Sequence, residues 1–519
     1  MPANSALQQF VILPPRGLTN RSASANPEVT TFLRSLDAGV GASTQRVSTR
    51  GIVANSAVRG RGGSRMPSGV PVRVLDSIHE DGAKLVEMPA DAVADLRAAQ
   101  PGMRIVPVVY YQPARAPRPA IERPATAAAA ATSLKLTLKI VSRTDGKPIA
   151  KAFVVAFTDF TAGTGAQGTT NNQGEVRLSL GAASRKLDRL YVFPQLGFWG
   201  VLKKNITVNS GMKITLRPLE LGFTDAKRFF YGDAANEAGL GIKVGVIDTG
   251  VAAHPDLVIE GGENTVLGES PSDFGDNGEG HGTHVAGIIA ARGNASIGVR
   301  GIAPGVTLRS YRVFGQNSGG ATNFAIAKAI DRAVADGCDL LNLSLGGAVA
   351  DPATRDAISD ARAQGTLVFA AAGNDERSPV SFPAADMLAL AVSAMGRKGT
   401  YPTDATQVAD AVKPFGAPDK KNFVASFSNF GPEIDLTGPG VGIISTFPGG
   451  YAVLDGTSMA CPAAVGAAAR LLSAPVHAAL RNAARDQARS DAMAQAVLQA
   501  ARRLGFGMPF EGSGILLLS

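Results

Sequence analysis

LDGTSMACPAAVG, residues Leu454–Gly466, sets a hydroxyl among glycines and small residues ahead of an alanine-rich run. Two readings compete for it. In the plainer one, Ser458 and Thr457 cap a helix, Pro462 suits its first turn and the alanines propagate it. In the other, Ser458 is a nucleophile. The chain must then also supply a base, an acid to orient that base and donors for an oxyanion.

Working outward, the region from about Leu219 alternates apolar strands with helices. IKVGVID (Ile242–Asp248), CDLLNLSL (Cys338–Leu345) and TLVFAAAGN (Thr366–Asn374) are nearly continuous apolar runs, as strands buried on both faces require. Between them NFAIAKAIDRAVADG places Ile326, Ala329, Ile330, Ala333 and Val334 on one helical stripe. The alternation predicts an α/β domain with a parallel sheet, its active groups beyond the carboxyl ends of the strands.

Three polar signals stand at such ends. Asp248 closes a strand and enters a Thr-Gly turn, where a carboxylate can orient an imidazole or merely form the turn. In GHGTHVAGIIAA (Gly280–Ala291), His281 opens an apolar helix, and a helix N-terminus disfavours the charged imidazolium. His281 and His284 are spaced as a metal pair, but a third ligand is missing and His284 reads as a packed core residue. Asn374 ends the AAAGN strand with an amide able to donate to an oxyanion, or to cap a loop.

Taken in order, VGVIDTGVAAHPDL, GHGTHVAGIIAA, LLNLSLGG, FAAAGN and DGTSMACP resemble the signature blocks of subtilisin-like serine proteases, the subtilases, over roughly residues 240–470. The resemblance implies that Ser458 is the nucleophile, His281 the general base and acid, Asp248 the orienting carboxylate and Asn374 the oxyanion donor. It also implies that Ser344, Leu345 and Gly346 pair with substrate backbone on one side and Ser318, Gly319 and Gly320 on the other. Ala371, Ala372 and Gly373 match a wall of the main specificity pocket, whose small apolar lining favours large apolar side chains. NASIGV (Asn294–Val299) resembles a calcium loop of the family, with Asp256 as a further ligand, although it carries one residue more than that pattern. The chemistry itself calls for no cofactor. Ala463 departs from the family, which usually has His there.

Toward the N-terminus the pattern changes twice. QQFVILPP, NPEVTTFLRSL, VPVRVLDSI, AKLVEM, PADAVADLRAAQPG and MRIVPVVYY read as strand, helix, two strands, helix and strand. This is the ferredoxin-like split βαβ order, in residues 1–112. It resembles the inhibitor-like prodomain of subtilases, with Tyr110, Tyr111 and the residues after them lying in the cleft. A Pro/Ala linker, read as flexible, follows over 113–132. Residues 133–218 alternate with period two, as in LKLTLKI and EVRLSL, and predict a small antiparallel β-sandwich, Ig-like or transthyretin-like. The subtilisin-like catalytic domain is then 219–519. The inserted sandwich leaves the maturation site open.

Composition agrees with a globular chain. At 519 residues it has room for roughly three or four domains. Apolar residues make up 45 % and charged ones 18 %, which leaves no disordered majority. The net charge of +8 comes with the arginine-rich run Arg59–Arg65, but no aromatics interleave with it, so nucleic acid is not an expected partner. Cys338 and Cys461, the only cysteines, make no disulfide framework. MPANSALQQFVILPPRGLTN lacks a basic start and a sustained apolar stretch, so no leader is read there. The compartment expected is the cytoplasm, or the exterior by leaderless export. No membrane span is expected. The sequence thus predicts a serine endopeptidase acting on proteins or peptides, inhibited by its own N-terminal domain. The competing reading is a subtilase-fold regulatory or binding protein held latent by that domain.

Overall fold

The computed structural model describes residues 6–15, 27–37, 40–41, 45–48, 69–99, 102–124, 133–182, 185–294, 297–316, 318–347, 349–412 and 419–517. The arginine-rich run Arg59–Arg65 lies outside the described residues. In the catalytic region an eight-stranded sheet runs in the order Gly262–Asn264, Thr307–Arg312, Lys243–Asp248, Leu340–Leu343, Leu367–Ala371, Ala389–Arg397 and Asn422–Val424, with Ile434–Pro439 also paired to Ala389–Arg397. All pairings are parallel except the one with Asn422–Val424. The connection order reverses beside Lys243–Asp248, which puts Asp248 at the switch point where an α/β sheet opens a crevice.

Helices His281–Ala290 and Thr457–Ser473 are buried almost all round, because their small and apolar residues leave no polar face. Pro462 does not stand in the first turn but inside the second helix, at its sixth residue. A proline there cannot donate to the Ser458 carbonyl four residues back. The Ser344 hydroxyl makes that bond instead, at 3.0 Å.

The N-terminal unit is a five-stranded sheet in the order Gln45–Ser48, Gly69–Ser77, Lys84–Pro89, Leu7–Leu13, Arg104–Pro107, with helices Pro27–Asp37 and Ala92–Ala99. Its apolar layer from Val29, Phe32, Leu33 and Leu96 packs on one face of the sheet. Val11, Leu13, Ile78 and Leu85 pack instead against Phe324, Ala325 and Ala329 of the catalytic region. Two corrections follow. Gln45–Ser48 adds a strand that the sequence pattern does not announce, and the expected strand Met103–Tyr111 is broken after Pro107. Its second half, Tyr110–Pro113, leaves the sheet and enters the catalytic crevice.

The sandwich has one sheet of Val201–Thr207, Lys186–Phe193, Phe153–Asp159, Thr164–Thr169 and Arg123–Pro124, and a second of Glu175–Ala182, Ser133–Ser142 and Lys213–Leu216. It is not wholly antiparallel: Arg123–Pro124 and Lys213–Leu216 each pair in parallel. Nor is the linker free where it is described. Glu122 and Arg123 donate to the Gly163 carbonyl at 3.1 and 3.2 Å, and Ile121 to Gln167 Oε1 at 2.8 Å. Residues 125–132 lie outside the described residues. Trp199 of the sandwich is buried within the catalytic core, edge-on to Phe223. Among the described residues no single helix is long and apolar enough to cross a membrane.

Candidate active site

Each polar group is delivered by the end of a regular element. Asp248 closes its strand, and Oδ1 accepts the Thr249 amide and faces His281 Nδ1, both at 2.7 Å. Both side chains are fully buried, which strengthens their attraction and orients the ring. The helix that starts at His281 comes so close to this strand that a Cβ on Gly282 would lie 2.3 Å from the Gly250 carbonyl. Only glycine allows that approach. Upstream, Asp276 ties the turn down by accepting the Gly278 and Gly280 amides, and burial pushes its carboxyl up.

His284 takes no part in this pair. Its Nε2 is held between the Ile443 and Ala452 carbonyls at 3.1 and 3.2 Å, and burial, with the His281 ring nearby, pushes its pKa down to about 3. It is a neutral core donor. Ala463 is buried in the helix without a polar group to satisfy.

The crevice between these groups is filled by the chain itself. Tyr110–Pro113 forms the middle strand of a three-stranded antiparallel sheet. Pro113 and Gln112 lie opposite Leu345 and Gly346, and Tyr111 and Tyr110 opposite Ala321 and Thr322. The Ala114 amide donates to the Ser344 carbonyl at 3.0 Å. The far strand is thus Ala321–Thr322 and not Ser318–Gly320. Ser318 turns to the Gly315 carbonyl, while the Gly319 carbonyl accepts the Gln112 side chain at 2.6 Å. Gly320 lies against Tyr111.

At Ala114 the main chain meets the polar groups. Its carbonyl oxygen accepts from Asn374 Nδ2 and from the Ser458 amide, the latter at 3.3 Å. The Asn374 amide is aimed because its Oδ1 accepts the Thr457 amide at 2.8 Å. Gly456 lets this happen: a Cβ there would stand 2.8 Å from the Ala114 carbonyl oxygen. Beyond Ala114 the Ala116 amide donates to the Asp455 carbonyl at 3.0 Å. The Ser458 hydroxyl donates to the Ser344 carbonyl at 3.1 Å, and His281 Nε2 has no hydrogen-bond partner among the described residues. Nucleophile and base are therefore not hydrogen-bonded to each other in this state.

The pocket holding Tyr111 has no counterpart in the sequence reading. Tyr111 is fully buried, and its hydroxyl reaches Asp351 Oδ2 and Thr354 Oγ1. Asp351 Oδ1 is committed to the Ala353 and Thr354 amides and to Asn323 Nδ2. Asp-Pro before a helix reads as a cap, so nothing local announces the second oxygen. Ala371, Ala372 and Gly373 lie buried at the end of Leu367–Ala371.

At the loop expected to hold calcium, the Asp256 carboxylate has protein partners. Asp256 Oδ2 accepts both the Val299 amide at 2.8 Å and the Tyr451 hydroxyl at 3.0 Å. No group of three or more His, Cys, Asp or Glu side chains suited to a metal occurs among the described residues. A hard cation needs six or more free oxygens. Asn294 lies beside this carboxylate loop, and Ala295 and Ser296 fall outside the described residues.

A buried Asp–His pair at a sheet switch point, a serine at a helix start and amide donors on a bound carbonyl define a serine hydrolase of the α/β class. Residues 239–514 match the model of the subtilase family, and the chain belongs to that family. It is 42 % identical over 240 residues to subtilisin BL of Lederbergia lenta, covering 46 % of this chain and 79 % of that protein. Over 237 residues it is 41 % identical to subtilisin DY of Bacillus licheniformis, covering 45 % and 78 %. Alkaline elastase YaB of a Bacillus species is 40 % identical over 232 residues, covering 44 % and 54 %. The protein is a serine-type endopeptidase.

Proposed function

We propose that the chain is made as a precursor that cuts itself between Ala114 and Arg115, and that its first 114 residues then serve as an inhibitor occupying the cleft. The single observation that carries this is the Ala114 carbonyl, held by Asn374 Nδ2 and the Ser458 amide in an unbroken chain. In acylation the Ser458 oxygen bonds to the Ala114 carbonyl carbon while His281 Nε2 takes the hydroxyl proton. Asp248 keeps the ring in position, and the two amide donors stabilise the oxyanion. Collapse breaks the bond to Arg115 nitrogen, which leaves with the proton from His281. Water, deprotonated by His281 Nε2, then attacks the ester carbon; the bond to Ser458 Oγ breaks, Oγ regains the proton from His281, and the Ala114 carboxylate is released.

An alanine before the cut fits an apolar pocket but is smaller than the large side chains that its lining favours. We therefore assign the selectivity for size to the pocket of the fourth residue before the cut, three upstream of Ala114, where Tyr111 is engulfed. Calcium is not assigned to the Asp256 loop. N-terminal sequencing of the purified chain tests the reading: Arg115 should appear as a new terminus, and Ser458→Ala should keep the chain whole and refuse a fluorophosphonate label. The filled cleft and the disengaged Ser458 favour one alternative, a permanently latent regulator. A wild-type chain that stays whole and unlabelled would decide for it.

A further inference from the structure

Past the proposed cut the chain does not run into solvent. It crosses a cavity of about 670 Å³ between the catalytic region and the sandwich. One wall carries Glu279, two residues before His281, and Asp455, three before Ser458, with Asp410 beside it; the other carries Phe160, Tyr191 and Phe193. That wall is rigidly placed. The Leu202 amide donates to the Asp404 carbonyl at 2.8 Å, the Gly197 amide to Tyr451 at 2.9 Å, and Arg143 and Lys203 both pair with Asp404. The chain's own residues Arg115 to Pro119, on the leaving side of the proposed cut, line this space.

We propose that this chamber is a binding site for the leaving-side half of polypeptide substrates, and that it selects arginine at the fourth residue beyond the cut. The proposal rests on the reading that the cleft cuts peptides. The chain's own segment shows the chemistry of an occupant. Arg115 pairs with Glu279 at 3.0 Å, both groups exposed, so this first position contributes little. Arg118 is the fourth residue, and its guanidinium lies 5.0 Å from the centre of the Phe193 ring, within cation–π range. Burial and the neighbouring Arg115 charge work against its cation, and Asp455 across the chamber partly offsets them. The acidic groups all lie on the catalytic wall, and the sandwich wall carries the basic Lys151 and Arg189 beside its rings. Arg189, however, is spent on the Phe160 face and the Tyr191 hydroxyl, which leaves Phe193 as the ring open to a substrate cation.

The test uses the full chain after self-cleavage and three substrates. Two are quenched fluorescent octapeptides, Tyr-Gln-Pro-Ala-Arg-Ala-Pro-Arg and the same peptide ending in Ala. The third is the chromogenic anilide of Tyr-Gln-Pro-Ala, which has no leaving-side residues. The octapeptide ending in Arg should be favoured roughly three- to tenfold in kcat/KM. Phe193→Leu, which keeps bulk but removes the ring, should bring that ratio near one. Any competition from the resident arm affects both octapeptides alike and cancels in the ratio. Equal rates for the two octapeptides with the anilide still cut would overturn the chamber and spare the peptidase reading. So would a ratio that survives Phe193→Leu. Failure to cut any of the three would sink both.

Discussion

Two modules precede the catalytic region, and they hold on to it by different physics. The N-terminal unit keeps its own helix-covered core and meets the catalytic region through a modest apolar layer. Around that layer lie the pairs Asp76–Lys328, His79–Asp331 and Arg104–Asp356, and one strand lies in the cleft. The sandwich instead sends Trp199 into the catalytic core and shares main-chain bonds with residues 404, 405 and 451. The lesson concerns permanence. Both modules bury apolar side chains against the catalytic region, the first through Val11, Leu13, Ile78 and Leu85 and the second through Trp199, so the proposed cut is what would distinguish them: it severs the chain link of the first and leaves that of the second intact.

The comparison can be broken most sharply at the nucleophile. Ser458→Ala should abolish appearance of the Arg115 terminus altogether, leaving both modules attached; gel mobility and N-terminal sequencing read it directly. Next comes Trp199→Ala, for which a loss of about 3–5 kcal/mol is expected, as for other large buried aromatics. Denaturant melts should show it as a change in the catalytic core. A melt confined to the sandwich would mean that the core is not shared. Asn374→Leu should slow self-cleavage by about a hundred- to a thousandfold, the general cost of removing one oxyanion donor. An unchanged rate would take Asn374 out of the mechanism. Tyr111→Phe leaves Asp351 Oδ2 without its proton donor and should weaken inhibition by the cleaved N-terminal fragment about tenfold, as for a hydrogen bond to a charged group. An unaltered inhibition constant would place the grip elsewhere in the unit. Smallest of all is chelation: exhaustive removal of divalent ions should move the Tm by less than about 1 °C, since Asp256 is committed to Val299 and Tyr451. A large drop would restore calcium to that loop.

How much of this could be read beforehand depends on how local each signal is. Asp248, His281 and Asn374 sit at strand ends or a helix start, where a short motif and its flanking apolar run already state the geometry. The sheet of the catalytic region was legible for the same reason. The break after Pro107 was not, because Val106 to Tyr111 is an unbroken apolar run that reads as one extended strand; what divides it is the crevice, which offers Tyr110–Pro113 two strands to pair with. Proline and alanine indicate a spacer, but Gly163 and Gln167, some forty residues away, hold its first half in place. Pro462 was placed in a first turn because its compensating donor, Ser344, lies 114 residues upstream of Ser458. In each case the missing information was a partner distant in sequence.

The anchored arm bears on the thermodynamics of the proposed cut. Ala116 is bonded to Asp455, and residues 121–124 are fastened to the sandwich, so the amine freed at Arg115 has only a few residues of slack. A tethered end of that kind is present at an effective concentration in the millimolar range or above, and it meets the acyl group repeatedly before it meets bulk solvent. Aminolysis by that amine therefore competes with hydrolysis, and the bond can be remade as well as broken. Cut and uncut chains would coexist in a ratio set by geometry. The reaction becomes one-way only when the Tyr110–Ala114 strand departs and carries the acyl side out of reach.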